Sequence, residues 1–427
     1  MSTLQTIDAI MKLNYGPGSE RLQKTLFADF PIFGKIPKKT GKVQATGSAL
    51  VAPVLYGSPQ SMGANFANNI TNSRTSAGSN KYTRWTVPFG DYGAVVTFER
   101  KMLKLSASDM GCYIDAKKAE IEQVLRQWAA TFSWYLLNTK GRSLCSFTIA
   151  SGVCTVTSSR EDIVNIQPGM VLQVSAGSGD AGESLLSANL GYVFAVNQSV
   201  NPPTFTVATS QSLADAGTAG TPSGWSGTMF AFRQGDFGGS GATVVCDGFG
   251  DWCPASDPSA TPFNGVVRTT NVTALSGVRL SSTECAGLNN ENRIKRLLTR
   301  QSSMGGGAGD WVFVSPEKWQ DIADGLESRG LRTAFGKDAQ WGYDTLLVTA
   351  GGKTVTVFAD RFMPASSIYS WQKDAFVLYN AGEFPEVVND DGLSMLRVAD
   401  ANTYEMRWAA IPATLGTPWL MGRCPAA

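Results

Sequence analysis

The sequence predicts an α+β protein with one long helix, an extended two-stranded ribbon, a mixed unit of helices and sheet, and an inserted small all-β domain. Three observations support this prediction. Residues 109–138 have the apolar period of a helix, residues 43–56 and 81–102 are rich in β-branched and aromatic residues, and residues 143–232 contain short β-prone runs at even spacing. Such periods and compositions are the main sequence signals of secondary structure.

The long helix is predicted by one face that repeats every three or four residues, in a stretch without proline. At a rise of about 1.5 Å per residue, a helix of this length spans roughly 45 Å. We expect the face to pack against the rest of its own domain, because helices are stabilised mainly by such packing. The face consists of Ile114, Lys118, Ile121, Leu125, Trp128, Phe132 and Tyr135.

The two extended segments predict a ribbon whose strands are joined by a loop dense in Gly, Ser and Asn. A two-stranded ribbon is marginal in water unless its apolar face finds a partner. That partner is either the body of the same chain or the body of a neighbouring copy. We favour the neighbour, because large aromatic residues are enriched at interfaces. The aromatic residues in question are Tyr82, Trp85, Phe89, Tyr92 and Phe98.

Residues 1–42 read as an arm, since Pro31, Gly34 and Pro37 interrupt its apolar residues and prevent one continuous helix. The arm therefore also needs a partner. We expect that removal of residues 1–42, or replacement of Trp85 and Phe89 by Ser, leaves a folded body that no longer forms particles. The predicted contacts between subunits are Leu22, Phe27, Phe30, Phe33, Tyr82, Arg84, Trp85, Phe89 and Tyr92.

After the long helix, the residue composition and the pattern of predicted elements change three times. The short runs of residues 143–232 favour a small antiparallel barrel or sandwich. Residues 233–265 read as a loop-rich connector. Residues 266–384 alternate helices and strands, with a basic helix from Asn290 to Ser303 and a second helix that starts at Pro316. We expect the basic face of the first helix to be solvated.

Composition excludes several classes of function. The chain of 427 residues has a formal charge of +1 and contains no histidine. Imidazole is the commonest general base and metal ligand, so its absence excludes Ser/His/Asp and Cys/His chemistry and an imidazole-bound metal, while paired carboxylates stay possible. We predict no catalytic residues, no metal and no cofactor. No run of 18 apolar residues predicts a membrane helix, and the start lacks the features of a signal peptide, which indicates folding in a cytoplasm. The seven cysteines fit reduced thiols.

Three stretches resemble the major capsid proteins of tailed bacteriophages, with the Hong Kong ninety-seven type of shell fold. They are PVLYGSPQSMGANFANN, the passage WTVPFGDYGAVVTFERKMLKLSASDMGCYIDAKKAEIE into the long helix, and the closing TYEMRWAAIPATLGTPW. The resemblance also rests on the order of elements and covers most of the chain.

The resemblance implies a division of the chain into named domains. Residues 1–42 are the N-terminal arm, and residues 43–107 are an extended loop that reaches over the adjacent subunit. Residues 108–142 and 385–427 form the peripheral domain with the spine helix, and residues 266–384 form the axial domain. The all-β domain of residues 143–232 is an insertion in this plan, followed by the connector of residues 233–265.

The function implied is self-assembly of hexamers and pentamers into an icosahedral shell around a double-stranded DNA genome. Implied partners are a scaffolding protein, a portal, a terminase and a decoration protein, with weak non-specific contact to packaged DNA. The implied location of the protein is the capsid of the virion. The shell is assembled in the bacterial cytoplasm. Lys81 lies in the loop that some relatives crosslink, but no partner residue is evident. A bacterial encapsulin-type compartment and a monomeric β-rich carboxylate-dependent hydrolase stay open as alternatives.

Overall fold

The computed structural model describes most of the chain. The described residues are 31–40, 49–58, 62–75, 79–99, 110–139, 143–177, 184–237, 245–327, 335–338, 343–382, 384–388, 396–397 and 403–426. The chain divides into two compact units, one formed by Met1–Leu137 with Val245–Ala427 and the other by Asn138–Val244.

Strands make up most of the regular structure in these ranges. In chain order they are β1 (Lys38–Thr40), β2 (Ala49–Gly57), β3 (Lys81–Pro88), β4 (Tyr92–Glu99), β5 (Cys145–Ala150), β6 (Val153–Val156), β7 (Val171–Ser175), β8 (Leu185–Asn197), β9 (Thr204–Ala208), β10 (Thr228–Arg233), β11 (Val278–Arg279), β12 (Trp311–Val314), β13 (Phe335–Asp338), β14 (Tyr343–Ala350), β15 (Lys353–Ala359), β16 (Ser367–Trp371), β17 (Phe376–Asn380), β18 (Glu386–Val387), β19 (Leu396–Arg397), β20 (Thr403–Ala410), β21 (Pro412–Gly416) and β22 (Met421–Pro425).

Helices connect and cover these strands. They are α1 (Pro31–Lys35), α2 (Phe66–Ser73), α3 (Met110–Leu137), α4 (Gln211–Asp215), α5 (Phe249–Trp252), α6 (Val272–Ser276), α7 (Asn290–Met304) and α8 (Pro316–Glu327). Short 3₁₀ helices occur at Arg160–Asn165, Arg268–Thr270 and Pro418–Leu420.

The predicted long helix is confirmed as α3. Its predicted face is buried from Ile121 onward, and the rings of Trp128 and Phe132 stack at 5.7 Å between centroids. The side chains of Ile114 and Lys118 lie outside the described part of the chain. Beside α3, β4 pairs with β20 along its full length, and β18 and β19 pair with the other edge of β20.

A seven-stranded sheet forms the largest part of the first unit, in the order β11-β22-β16-β12-β15-β14-β13. Helix α7 places Ile294, Leu297 and Leu298 in the same core as Val312 of β12 and Val355 of β15. These apolar positions at helical spacing explain why α7 packs on the sheet. The sheet and its helices occupy most of the segment that the sequence predicts as the axial domain.

The second unit is a closed barrel in the order β10-β5-β6-β9-β8-β7. Its core includes Phe147, whose ring lies 5.1 Å from that of Phe205 and 5.8 Å from that of Trp225. Gly191 on β8 is required by this packing, because a Cβ there would lie 2.3 Å from the Trp225 ring. The barrel confirms the predicted inserted all-β domain.

Three observations bear on the predicted domain bounds, which stay a prediction. Strand β22 pairs with β11 and β16 in the large sheet, and not with the strands beside the long helix. Strand β17 leaves the predicted axial domain and pairs with β1 and β21. The predicted loop-rich connector contains α5, whose Trp252 is fully buried. The pairing and packing partners of short strands and helices depend on long-range contacts, which a local sequence pattern does not predict.

Residues 31–40 also depart from the predicted arm. Helix α1 buries Ile32 and Phe33, and the following Ile36 is 4% exposed. Strand β1 then pairs in parallel with β17. This segment therefore belongs to the folded body, because its apolar side chains are covered by its own chain.

Candidate functional site

The residues predicted to contact a neighbouring subunit fall into different environments. Trp85, Tyr92 and Phe33 pack inside their own chain, whereas Tyr82 and Arg84 are exposed. Phe89 is half-buried. The predicted contacts Leu22, Phe27 and Phe30 lie outside the described residues, as does the side chain of Phe98.

Trp85 anchors the ribbon of β2 and β3 to the body of the same chain. Its ring meets that of Trp252 edge-on at 5.2 Å and that of Phe263 at 6.0 Å. The neighbouring Thr86 N–H donates to the Asn264 carbonyl at 2.9 Å. Because Trp85 is only 1% exposed, it offers almost no surface to a second subunit. Its contact with a neighbour stays a prediction, and this burial does not favour it.

Tyr92 and Phe33 pack against the long helix. The Tyr92 ring lies 5.3 Å from Trp128, and its hydroxyl donates to the Trp128 carbonyl at 3.4 Å. Phe33 meets Phe132 edge-on at 5.9 Å and is 1% exposed. Both rings thus complete the core around α3. Their contacts between subunits stay predictions, which this packing does not favour.

The other end of the ribbon is exposed and apolar. Leu55 on β2 faces Tyr82 on β3 in the strand register, and they are 47% and 65% exposed. Helix α2, between the two strands, exposes Phe66 and Ile70, which are one turn apart and share a face. Met62 precedes that helix and is 83% exposed. We call Leu55, Met62, Phe66, Ile70 and Tyr82 the apolar tip.

Four of these five residues, all except Tyr82, are not among the predicted contacts. The Gly, Ser and Asn content of the segment predicts a loop, whereas the structure contains a capped helix. The Asn65 side chain accepts from the Ala67 and Asn68 N–H groups and starts α2. The spacing of Phe66 and Ile70 was a visible signal of an amphipathic turn.

The position and charge of the apolar tip restrict its partners. The Asn271 side chain donates to the Tyr56 carbonyl at 2.9 Å and fixes the end of β2 to the body. From Ala49 to Pro88 the sequence has Arg74, Lys81 and Arg84 but no Asp or Glu. Charge complementarity at interfaces therefore favours a partner surface that is apolar with a neutral or acidic rim.

Within the described ranges, no three His, Cys, Asp or Glu side chains are grouped so that they could hold a metal ion. In the same part of the chain, no helix has the length and apolar content needed to cross a membrane.

Comparison with known proteins identifies the fold. No family model matches the sequence, and no curated protein matches it. The structure is similar to a chain of the cyanophage A-1(L) capsid asymmetric unit, with a TM-score of 0.51, 9% sequence identity, and 93% of this chain and 92% of that chain covered. A capsid chain of the native GTA particle has a TM-score of 0.40 and 10% identity, with 94% and 90% covered. The holo-SrpI encapsulin from Synechococcus elongatus has a TM-score of 0.39 and 7% identity, with 92% and 86% covered.

The fold class follows from the first of these matches. Nearly the whole chain superposes on nearly the whole of the cyanophage capsid chain. The chain therefore has the fold of phage capsid proteins, carrying an inserted barrel, as the sequence resemblance predicts.

Proposed function

We propose that this chain is the major capsid protein of a tailed bacteriophage and self-assembles into the icosahedral shell that encloses a double-stranded DNA genome. The observation that carries the proposal is the end-to-end match of fold with the cyanophage capsid chain. Fold alone does not define function. The exposed apolar tip supplies a second, independent reason to expect association.

The apolar tip is the surface that we assign to contact between subunits. Burial of a side chain such as Phe66 contributes about 1.5 to 3 kcal/mol. A contact between different surfaces of identical chains closes into rings and shells where the geometry permits. Each contact is modest, but a subunit held at several sites dissociates only when all of them release.

The remaining partners follow from the same proposal. Hexamers and pentamers of this chain form the shell, a scaffolding protein directs its size, and a portal occupies one vertex. A decoration protein is a further partner. Contact with packaged DNA is weak and non-specific, which the formal charge of +1 supports. The shell is located in the virion after assembly in the bacterial cytoplasm.

The proposal is tested with the purified full-length chain. Size-exclusion chromatography and negative-stain electron microscopy are expected to show assemblies of megadalton mass with curved or closed shells. Nuclease-protected DNA inside particles distinguishes a virion shell from a compartment that holds a cargo enzyme. A species near the 45.5 kDa chain mass under every assembly condition would contradict the proposal.

The apolar tip is tested separately with the double variant Met62→Ser, Phe66→Ser. Both side chains are exposed in the single chain, so we expect unchanged circular dichroism and melting but loss of particles. The matched control is Val200→Ser, which replaces an apolar residue with an exposed fraction of 46% on the inserted barrel. Normal particles from the double variant would exclude the tip as a contact.

A further inference from the structure

The sheet of β4, β18, β19 and β20 in the first unit has one buried and one exposed face. Successive side chains of a strand point to opposite faces of its sheet. On one face, Val96 of β4 and both Met406 and Trp408 of β20 are buried. On the other face, Val95 is 54% exposed, and Ile411, which directly follows β20, is 41% exposed. The exposed face thus carries apolar side chains that the described part of the chain leaves open to solvent.

Carboxylates flank these apolar side chains. Asp91 directly precedes β4, and Glu386 of β18 lies opposite Ala409 of β20. Both carboxylates are exposed. Among the described side chains of this face, the charge of Arg407 is offset by Glu405, to which it donates at 2.7 Å. The face therefore keeps the negative charge of Asp91 and Glu386.

The centre of this face is a shallow depression. Gly93 of β4 lies opposite Ala409 of β20, so the largest side chain in this row of the two strands is a methyl group. Val95 is two residues further along β4, or about 7 Å at a rise of about 3.4 Å per residue. An aromatic ring from outside therefore has room over Gly93 and Ala409. We call the following residues the acidic sheet face: Asp91, Gly93, Val95, Glu386, Ala409 and Ile411.

We propose that the acidic sheet face binds the apolar tip of a second copy of this chain, with the Phe66 ring over Gly93 and Ala409. This inference rests on the proposed function, because it names the surface that receives the tip. The two surfaces are complementary in charge, since the segment from Ala49 to Pro88 has three basic residues and no acidic residue. They are also complementary in shape, because the Phe66 side chain is 77% exposed and the face is depressed at its centre.

Other exposed apolar residues of the first unit fit a cationic tip less well. Met304 accepts from Nε of Arg300 at 3.4 Å, and Val267 directly precedes Arg268. Both therefore lie beside a positive charge, which opposes the basic residues of the tip. Leu347 lies in the paired residues 346–350 and 353–357 of β14 and β15, which include no acidic residue. Among these surfaces, only the acidic sheet face offers apolar contact together with carboxylates.

The proposal is tested in particles of the full-length chain by chemical crosslinking with a short bismaleimide reagent. The variant combines Ile70→Cys on the tip with Val95→Cys on the face, and it keeps the Phe66 ring. The native cysteines among the described residues are buried. We expect a ladder of covalent multimers on a denaturing gel, whereas each single variant stays a monomer. The matched control combines Ile70→Cys with Leu347→Cys and should give no ladder.

Reversal of charge tests the complementarity independently. The tip variant Arg74→Glu, Arg84→Glu and the face variant Asp91→Lys, Glu386→Lys should each lower the yield of particles by about tenfold or more, because like charges then meet. The chain that combines all four substitutions should recover the yield, since opposite charges meet again. All four side chains are exposed, so circular dichroism of the unassembled chain should not change. A merely structural role of these residues does not predict this recovery.

Particles without a crosslink between Ile70→Cys and Val95→Cys, or with a ladder from the Leu347→Cys control, would overturn the proposal. A combined charge variant that assembles as poorly as its two parents would also overturn it. Crosslinking needs no change of charge, so it decides the matter even if a reversed variant misfolds. Electron microscopy of the wild type separates this proposal from the capsid function. Wild-type shells without the crosslink leave the capsid function standing, whereas a wild type that stays monomeric contradicts both.

Discussion

Trp85 shows at the scale of one residue how burial reverses an expectation from sequence. The ring fills a pocket against Trp252 and Phe263, while its indole Nε1 has no hydrogen-bond partner among the described residues. We expect Trp85→Ala to lower the free energy of unfolding by about 3 to 5 kcal/mol, as for other buried aromatic truncations. Urea unfolding of the unassembled chain, followed by circular dichroism, measures this loss.

Two matched variants isolate the cause at this position. Trp85→Phe keeps an aromatic ring and removes the unpaired N–H, so it should cost much less than Trp85→Ala. Tyr82→Ala removes a ring that is 65% exposed and should change stability by less than about 0.5 kcal/mol. Equal losses for Trp85→Ala and Tyr82→Ala would contradict the assignment of Trp85 to the core. The expectation that replacement of Trp85 and Phe89 by Ser leaves a folded body stays a prediction, and the burial of Trp85 in its own chain argues against it.

Asp360 is a buried carboxyl whose titration affects stability. Burial raises its pKa from the ordinary value of 3.8 to about 6, although the Phe362 and Ile32 N–H groups donate to it at 3.0 and 3.4 Å. The folded state therefore binds more protons than the unfolded state between these two values. Stability from this group is present at low pH and is lost as pH rises from about 4 to 6, by on the order of 3 kcal/mol.

The pH dependence of Asp360 is measured by comparison with Asp360→Asn, which does not titrate. The difference in free energy of unfolding between the wild type and this variant should favour the wild type more strongly at about pH 4 than at about pH 7. Asp310 provides a control that should stay nearly flat from about pH 4 to 7. Although burial opposes it, the bonds to Lys353 and to the Lys373 N–H lower the pKa of Asp310, so its contribution to stability is lost only as pH falls below about 4. A difference that is constant from about pH 4 to 7 would refute the raised pKa of Asp360.

At the scale of elements, the sequence predicted those helices and strands whose periodic pattern lies within one continuous stretch of residues. Helix α3 repeats its apolar face over many turns, and the barrel strands alternate between turn residues. Helix α5 spans only Phe249–Trp252, too short to show a period, so its burial was invisible in the sequence. The apolar tip was missed in part for a related reason. The composition of its segment indicates a loop, and only packing distinguishes an exposed from a covered aromatic residue.

The segment formed by α1 and β1 separates two truncations that the sequence treats as one arm. Removal of residues 1–30 keeps α1 and β1, so this shorter truncation is the reference against which the contribution of residues 31–42 is measured. Removal of residues 1–42 also deletes Ile32, Phe33 and Ile36, each buried and each worth about 1.5 to 3 kcal/mol. We expect the longer truncation to melt much lower or to aggregate. Similar melting of the two would show that α1 is not part of the core.

At the scale of the whole molecule, the sequence predicted which parts exist better than it predicted how they pair. The change in composition at residue 143 marked the start of the inserted domain correctly, because the strands of a barrel carry alternating apolar residues that the barrel itself buries. Strands β17 and β22 each pair with strands that are distant in the sequence, and such long-range pairing produces no periodic pattern in the sequence. The closed barrel, by contrast, pairs its first strand β5 with its last strand β10, so its pairing is completed within one stretch of sequence.

This closure predicts that the inserted unit folds without the rest of the chain. Cys145 lies opposite Ala231 in the register of β5 and β10. The chain therefore enters and leaves the barrel at neighbouring positions. We expect the isolated fragment Asn138–Val244 to show β-type circular dichroism and one cooperative thermal transition, since its core of Phe147, Phe205 and Trp225 is internal. A fragment that begins at Ser151 lacks β5 and opens the barrel, and it should not melt cooperatively. A non-cooperative Asn138–Val244 fragment would mean that the barrel depends on the rest of the chain, and the insertion would then not be an independent folding unit.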